Sequence, residues 1–285
     1  LSKQRTDVVH AFLPMPSVYA ALARQLGGAP VVTGVRCSAA AFDDHALDAS
    51  AYTLAARWSD HVAVNAQDVR PWLLERGVAE ERITYAPNLL RADVLNAPAL
   101  DEDKKAALLQ SYGIDPKTPP ILLVGRFDEY KNQDGLLRAI KLLVDEGVDV
   151  PPVLMIGRPT SMDRVAELKR LRGQVGMPQV CLEPPTTRIL DVMQASAMVA
   201  LTSHSEGTPN VLLEAVGLGC LAVGVPVGQV AEVLCRGEAG IVAASTSDRD
   251  IAAALETALG LSADRERQLK ERAAQWARER FSPKT

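Results

Sequence analysis

The sequence predicts an α/β protein built as two successive units, each a parallel sheet with helices on its faces. Three observations carry this. Short apolar runs such as ILLV at 121–124 and MVAL at 198–201 alternate with longer segments that read as helices. Gly27, Gly28, Gly77 and Gly147 stand where such helices would stop. The length of 285 residues matches two domains of roughly 100–200 residues each.

Taken in order, residues 7–12 (DVVHAF) read as a strand and 17–26 as a helix. A strand at 30–35 leads to Arg36 and Cys37. Residues 43–57 read as a helix, 61–65 as a strand, 67–76 as a helix and 83–86 as a short strand before Pro87 and Asn88. Residues 91–120 form the passage between halves, with a charged helix at 101–111 and a turn-rich linker, DPKTPP, at 115–120. The second half is more regular. Strands are expected at 121–124, 153–156, 179–183, 198–201, 221–225 and 240–243, and helices at 136–146, 162–171, 187–195, 210–218 and 248–259. A long charged helix at 263–280 closes the chain. Domains are expected at 1–110, 111–262 and 263–285, the last being a helix packing towards the first domain. The first half is short for a complete doubly wound domain of about 100–150 residues.

Composition narrows the function classes. A net charge of −4 gives no support to general nucleic-acid binding, which relies on neutralising phosphates. Cys37, Cys181, Cys220 and Cys235 are scattered without a CxxC pair, which argues against a zinc site or a disulfide framework and suits a reducing cytoplasm. The charged opening at 1–5 is no signal peptide. The apolar run at 215–230 holds three glycines besides Pro226 and Gly228, so it reads as a helix, a turn and a strand rather than a membrane span.

The second half is organised around SHSEGTPNVLLEAVGLG at 203–219. An apolar strand enters a polar loop holding Glu206 and Gly207, and Pro209 falls at the expected first helical position. The helix that follows is apolar on almost every side except at Glu214, so it is expected to be buried. A buried carboxylate needs a partner, from the protein or from a ligand. The helix start is a ready anion site, with main-chain atoms of Thr208, Asn210 and Val211 placed to hold a phosphate. A capped core helix with one salt-bridged glutamate explains the same residues, and both readings stay open here. In open α/β sheets ligands bind outside the carboxyl ends of the strands. Arg126 and Lys131 follow such a strand end, where Arg126 can fork onto phosphate oxygens and Lys131 can act as a point charge.

The pattern GRFDEYKNQDGLLRAI, with EGTPNVLLEA downstream, resembles the retaining glycosyltransferases of the group 1 family (family 4), which have the GT-B fold. Glu206 and Glu214, with seven residues between them, match the E-x7-E motif of that family. The resemblance implies two Rossmann-like domains facing a central cleft, the N-terminal one incomplete. It implies transfer of a hexose or N-acetylhexosamine from a nucleotide-diphosphate sugar to an acceptor, with retention and without a metal. Arg126 and Lys131 match the basic pair that holds the leaving diphosphate, with Gly125 at the head of their loop. Glu206 matches the glutamate near the donor sugar, and Glu214 the one bonded to the ribose. Thr208, Pro209, Asn210 and Val211 match the segment near the phosphates. His10 and Arg36 fall on the acceptor side. No separate cofactor is implied, the co-substrate being a UDP- or GDP-sugar. A glycan, lipid-linked or small-molecule acceptor fits, in polysaccharide biosynthesis in the cytoplasm or at the inner membrane face, with peripheral contact and no transmembrane segment.

The sequence also departs from the family. The Gly-rich loop usual near the N-terminus is absent before Asp7. Arg36 stands where a histidine is common. Gly157, Arg158, Pro159 and Thr160 replace G-x-G-P, and Leu182, Glu183 and Pro184 replace F-x-G. The alternatives are a non-catalytic nucleotide-sugar-binding module and a truncated, inactive glycosyltransferase.

Overall fold

The computed structural model describes residues 6–43, 45–175 and 179–283, so the opening at 1–5, Asp44, residues 176–178 and the last two residues lie outside the described residues. The chain divides into two compact units. The first comprises the chain up to Asn88 together with Ser205–Thr208, and the second Leu89–His204 with Pro209 onwards.

In the first unit, β1 (Val9–Phe12), α1 (Pro14–Gln25), β2 (Val31–Val35), α2 (Ala46–Trp58), β3 (His61–Val64), α3 (Val69–Glu75) and β4 (Ile83–Tyr85) alternate. The four strands are parallel, in the order β1-β2-β3-β4. Val35, Val62, Val64, Phe42, Tyr52, Trp72 and Leu73 form the core. Helix α1 starts at Pro14, not at residue 17 as expected. Prolines in a first turn remove only N–H groups that have no helical acceptor, so Pro14 and Pro16 open the helix rather than delay it.

The second unit begins with α4 (Ala92–Leu95) and α5 (Glu102–Ser111), the latter capped by the Asp101 carboxylate accepting from Lys104 N at 2.8 Å. Then follow β5 (Ile121–Val124), α6 (Gln133–Asp145), β6 (Val153–Ile156), α7 (Met162–Val175), β7 (Val180–Glu183), α8 (Ile189–Ala195), β8 (Met198–Leu201), α9 (Asn210–Gly217), β9 (Ala222–Gly224), α10 (Val230–Val233), β10 (Ile241–Val242), α11 (Asp248–Leu259) and α12 (Ala263–Phe281). The six strands are parallel, in the order β10-β9-β8-β5-β6-β7. Counted from β5, this is the doubly wound order 3-2-1-4-5-6.

A parallel sheet covered on both faces demands strands that are apolar throughout. Leu122, Leu154, Val199 and Leu201 point into one layer with α5, α8, α9 and α12. Ile121, Leu123, Met155 and Ala200 point into the other with α6, α7 and α11. Fully burying one such side chain contributes about 1.5–3 kcal/mol.

The compact units part at Asn88, whereas the sequence placed the boundary at 110. Leu90, Val94, Leu108 and Leu109 are buried in the core of the second unit, so the passage between halves belongs to that core. Helix α12 is likewise part of the second unit. Its Ala273, Ala277 and Phe281 are buried in the same layer as α9, and Phe281 O accepts from Leu90 N at 2.8 Å.

Candidate active site

In the second unit the strand order reverses between β5 and β8, so the loops leaving those two strands flank the crevice where open α/β sheets take ligands. Both carry predicted site residues. The loop after β5 holds Gly125, Arg126 and Lys131, and it is tied down on two sides. Towards β6, Phe127 N donates to Arg158 O at 2.9 Å and Thr160 Oγ1 to Phe127 O at 3.0 Å. Here Gly157 crosses Gly125 so closely that a Cβ on Gly157 would stand 1.7 Å from Gly125 O. Towards β8, Thr202 Oγ1 donates to Lys131 O at 3.2 Å and Asn132 O at 3.0 Å, while His204 N donates to Tyr130 O at 2.8 Å.

Asp128 and Asn132 fix the loop from within. Asp128 Oδ1 accepts from Lys131 N at 3.0 Å, and its Oδ2 stands 3.0 Å from Arg126 Nη2 as an ion pair. Asn132 is left-handed, with φ 48° and ψ 46°, and buried. Its Oδ1 accepts from Gly135 N at 3.0 Å to cap α6, and its Nδ2 donates to Thr202 O at 3.1 Å. A Cβ at Gly125 would meet the Lys131 side chain at 3.2 Å, so that glycine makes room for the lysine stem. The Arg126 side chain is 68 % exposed, which leaves its fork open to solvent.

Helix α9 carries Asn210, Val211 and Glu214. Leu212, Leu213, Ala215, Val216 and Gly217 are buried, but Val211, Glu214 and Leu218 are only partly covered. The sequence expected burial on nearly all sides. One open stripe remains, and Glu214 sits on it. Pro209 is the cap residue and not the first helical one, its carbonyl accepting from Leu213 N at 3.1 Å. Glu214 has a protein partner, though not a hydrogen bond: Arg91 Nη1 stands 3.6 Å from its Oε1. Arg91 is itself engaged by Asp93. Burial pushes the Glu214 carboxyl above its ordinary pKa, Arg91 pulls it back, and Asp93 adds to the rise.

The remaining predicted residues fall in the first unit. Arg36, Asn65 and Asn88 follow the carboxyl ends of β2, β3 and β4, and Ser205–Thr208 lies among them. Thr208 Oγ1 donates to Asn65 O at 2.5 Å, and Asn88 Nδ2 donates to Thr208 O at 2.9 Å. The hydroxyls of Ser38 and Ser205 stand 3.2 Å apart. A Cβ at Gly207 would lie 2.8 Å from Asn65 Oδ1 and 3.0 Å from Arg36 O, so any side chain there would crowd both. Arg36 Nη2 donates to Asn88 Oδ1. Glu206 thus belongs to the unit of Arg36, while Arg126, Lys131 and Glu214 belong to the other. His10 stacks on Phe12 at 4.2 Å, both rings lying over Gly34 on β2.

Sequence reasoning missed Asp128, Asn132, Asn65, Asn88 and Arg91. A signal existed for Asn65 and Asn88, polar residues closing apolar strands, and for Asn132, an Asn just before a helix. Among the described residues, no three His, Cys, Asp or Glu gather as a metal-binding group, and no helix is long and apolar enough to cross a membrane.

Two α/β units with parallel sheets, the second doubly wound, place the protein in the GT-B class. Solved structures of that architecture match over nearly the whole chain. Anabaena Alr3699/HepE in complex with UDP-glucose matches with a TM-score of 0.84 at 19 % identity, over 97 % of this chain and 75 % of that one. Sucrose-phosphate synthase from Thermosynechococcus elongatus matches with a TM-score of 0.81 at 17 % identity, over 99 % and 71 %. At such identities the likeness is one of fold. The family is shown by sequence. The glycosyl transferases group 1 family matches residues 104–276, a glycosyl transferase 4-like domain matches residues 1–89, and the chain belongs to the group 1 glycosyltransferases. Similar curated proteins include the D-inositol 3-phosphate glycosyltransferases of Rhodococcus erythropolis and Rhodococcus jostii. The first is 32 % identical over 207 residues, 70 % of this chain and 46 % of the relative. The second is 28 % identical over 263 residues, 88 % of this chain and 58 % of the relative. The chain spans about half the length of these relatives.

Proposed function

We propose that the protein transfers a hexosyl or N-acetylhexosaminyl group from a nucleotide-diphosphate sugar to an acceptor hydroxyl, with retention at the anomeric carbon. The observation that carries this reading is the basic loop after β5, tied to the exit of β8 at the point where strand order reverses. Arg126 and Lys131 hold the diphosphate there and stabilise its charge as it leaves. The bond from the anomeric carbon to the β-phosphate oxygen breaks, and the acceptor oxygen bonds to that carbon on the same face. The acceptor proton passes to the departing phosphate. Main-chain atoms at Thr208–Val211 and the start of α9 add to the anion site. Glu206 orients the donor sugar, and Glu214 accepts from the ribose hydroxyls, the hydrogen bonds that Arg91 does not supply. The first unit, with His10 and Arg36, takes the acceptor.

The UDP-glucose complex of a structural neighbour supports a UDP-hexose as the first donor to try. A thermal-shift screen against UDP-, GDP- and ADP-sugars reads donor choice, since a ligand at a hundred times its Kd adds about 2.7 kcal/mol of stability. Lys131→Ala and Glu206→Ala are expected to lower transfer about a hundredfold or more with the melting temperature kept. Unchanged turnover in both variants removes these roles. Donor binding without transfer or donor hydrolysis favours a binding module instead.

A further inference from the structure

Arg36 closes β2 at the carboxyl edge of the first sheet, on the exposed side of the chain. Its hydrogen-bonding partner is neutral. Nη2 donates to Asn88 Oδ1, and among the described residues Arg36 makes no ion pair. Other arginines of the unit are used differently. Arg24 forks onto Asp60, Arg70 pairs with Glu80, and Arg82 donates to carbonyls at the end of α2. Those contacts neutralise charge or satisfy a helix end.

The Asn88 amide is engaged at both ends, since its Nδ2 donates to Thr208 O at 2.9 Å. It therefore fixes the guanidinium without cancelling its charge. The remaining N–H donors of the fork stay available at the edge where parallel α/β sheets take ligands. The same unit holds the Ser38 and Ser205 hydroxyls, the Asn65 amide and the segment with Glu206.

We propose that Arg36 is a specificity-determining residue that binds an anionic group, phosphate or carboxylate, on one of the two saccharide substrates. The inference rests on the glycosyltransferase reading of the same edge. A guanidinium matches either anion through paired N–H donors, and a charge-assisted contact of this kind separates charged from neutral ligands by about tenfold or more. A neutral hydroxyl offers it no comparable partner.

Two arms of one experiment distinguish the sources. Calorimetry first measures UDP binding to the wild type, which tests the donor reading by itself. With UDP saturating, inorganic phosphate and neutral myo-inositol are then titrated as acceptor-side probes. Separately, UDP-glucuronate is compared with UDP-glucose as donor-side probes. The wild type is expected to prefer the anionic member of at least one pair. Arg36→Gln should reduce that preference about tenfold, and Arg36→Lys, which keeps the charge without the fork, should restore part of it. Melting temperatures of both variants check the fold. No anion preference in either pair, or a preference that survives Arg36→Gln, overturns the proposal. Absence of UDP binding with an Arg36-dependent phosphate response overturns the donor reading and leaves the anion site standing.

Discussion

Asn132 holds the basic loop in place through three separable contributions, and two substitutions tell them apart. The residue is left-handed at φ 48°, caps α6 through Oδ1, and ties the loop to β8 through Nδ2. Alanine loses all three. The cap is worth about 1 kcal/mol, the buried hydrogen bond to Thr202 O about 1 kcal/mol, and an alanine forced into the left-handed region costs about 1 kcal/mol or more. Asn132→Ala is therefore expected to destabilise by about 3 kcal/mol. Glycine adopts the backbone freely and serves as a cap with little loss, so Asn132→Gly should cost only about 1–1.5 kcal/mol. Urea unfolding of the two variants beside the wild type measures both, and calorimetry with UDP reports on the loop. Equal losses for alanine and glycine would show that the left-handed backbone stores no strain. An alanine variant within about 0.5 kcal/mol of wild type would refute the reasoning as a whole.

Gly157→Ala should destabilise by about 3 kcal/mol, because its Cβ would overlap Gly125 O, a main-chain atom that cannot swing away. Denaturation midpoints check the loss, and UDP affinity should fall with it as the basic loop shifts. Glu214→Gln tests burial through pH. The folded pKa of Glu214 is raised above its ordinary value of 4.5, so its contribution is complete below that value and lost as pH rises through the folded pKa. The variant, which cannot ionise, should gain on the wild type between pH 4 and pH 7, as read by unfolding at the two values. A constant difference would mean that Glu214 titrates alike in folded and unfolded chains. The variant's donor affinity should lie below that of the wild type at pH 7, where the ionised Glu214 accepts from the ribose.

The sheets were readable because parallel strands buried on both faces leave uninterrupted apolar runs. ILLV and MVAL admit few other readings between turn residues. Helix α5 misled the domain boundary. Glu102, Asp103 and Lys104 announce a surface helix, yet Leu108 and Leu109 sit in the core, and that difference appears only once a partner is known. Helices α4 and α10, four residues each, are too short to show a period. The basic pair and the two glutamates stood out as charges beside apolar segments. The groups that hold them did not. Asn65 ends a strand as many residues do, and nothing local says that it meets Thr208, 143 positions away. The open stripe of α9 was hidden because Val211 and Leu218 are apolar whether covered or not.

The polypeptide passes between the two compact units at 88–89, at 204–205 and again at 208–209. No single cut therefore yields two intact halves. A fragment ending at Asn88 would leave Asn65 O and Asn88 Nδ2 without the Thr208 atoms they bond, about 1 kcal/mol for each bond lost. Chimeras that exchange one half with a relative need residues 205–208 to travel with the first half, although the sequence on both sides of them belongs to the second.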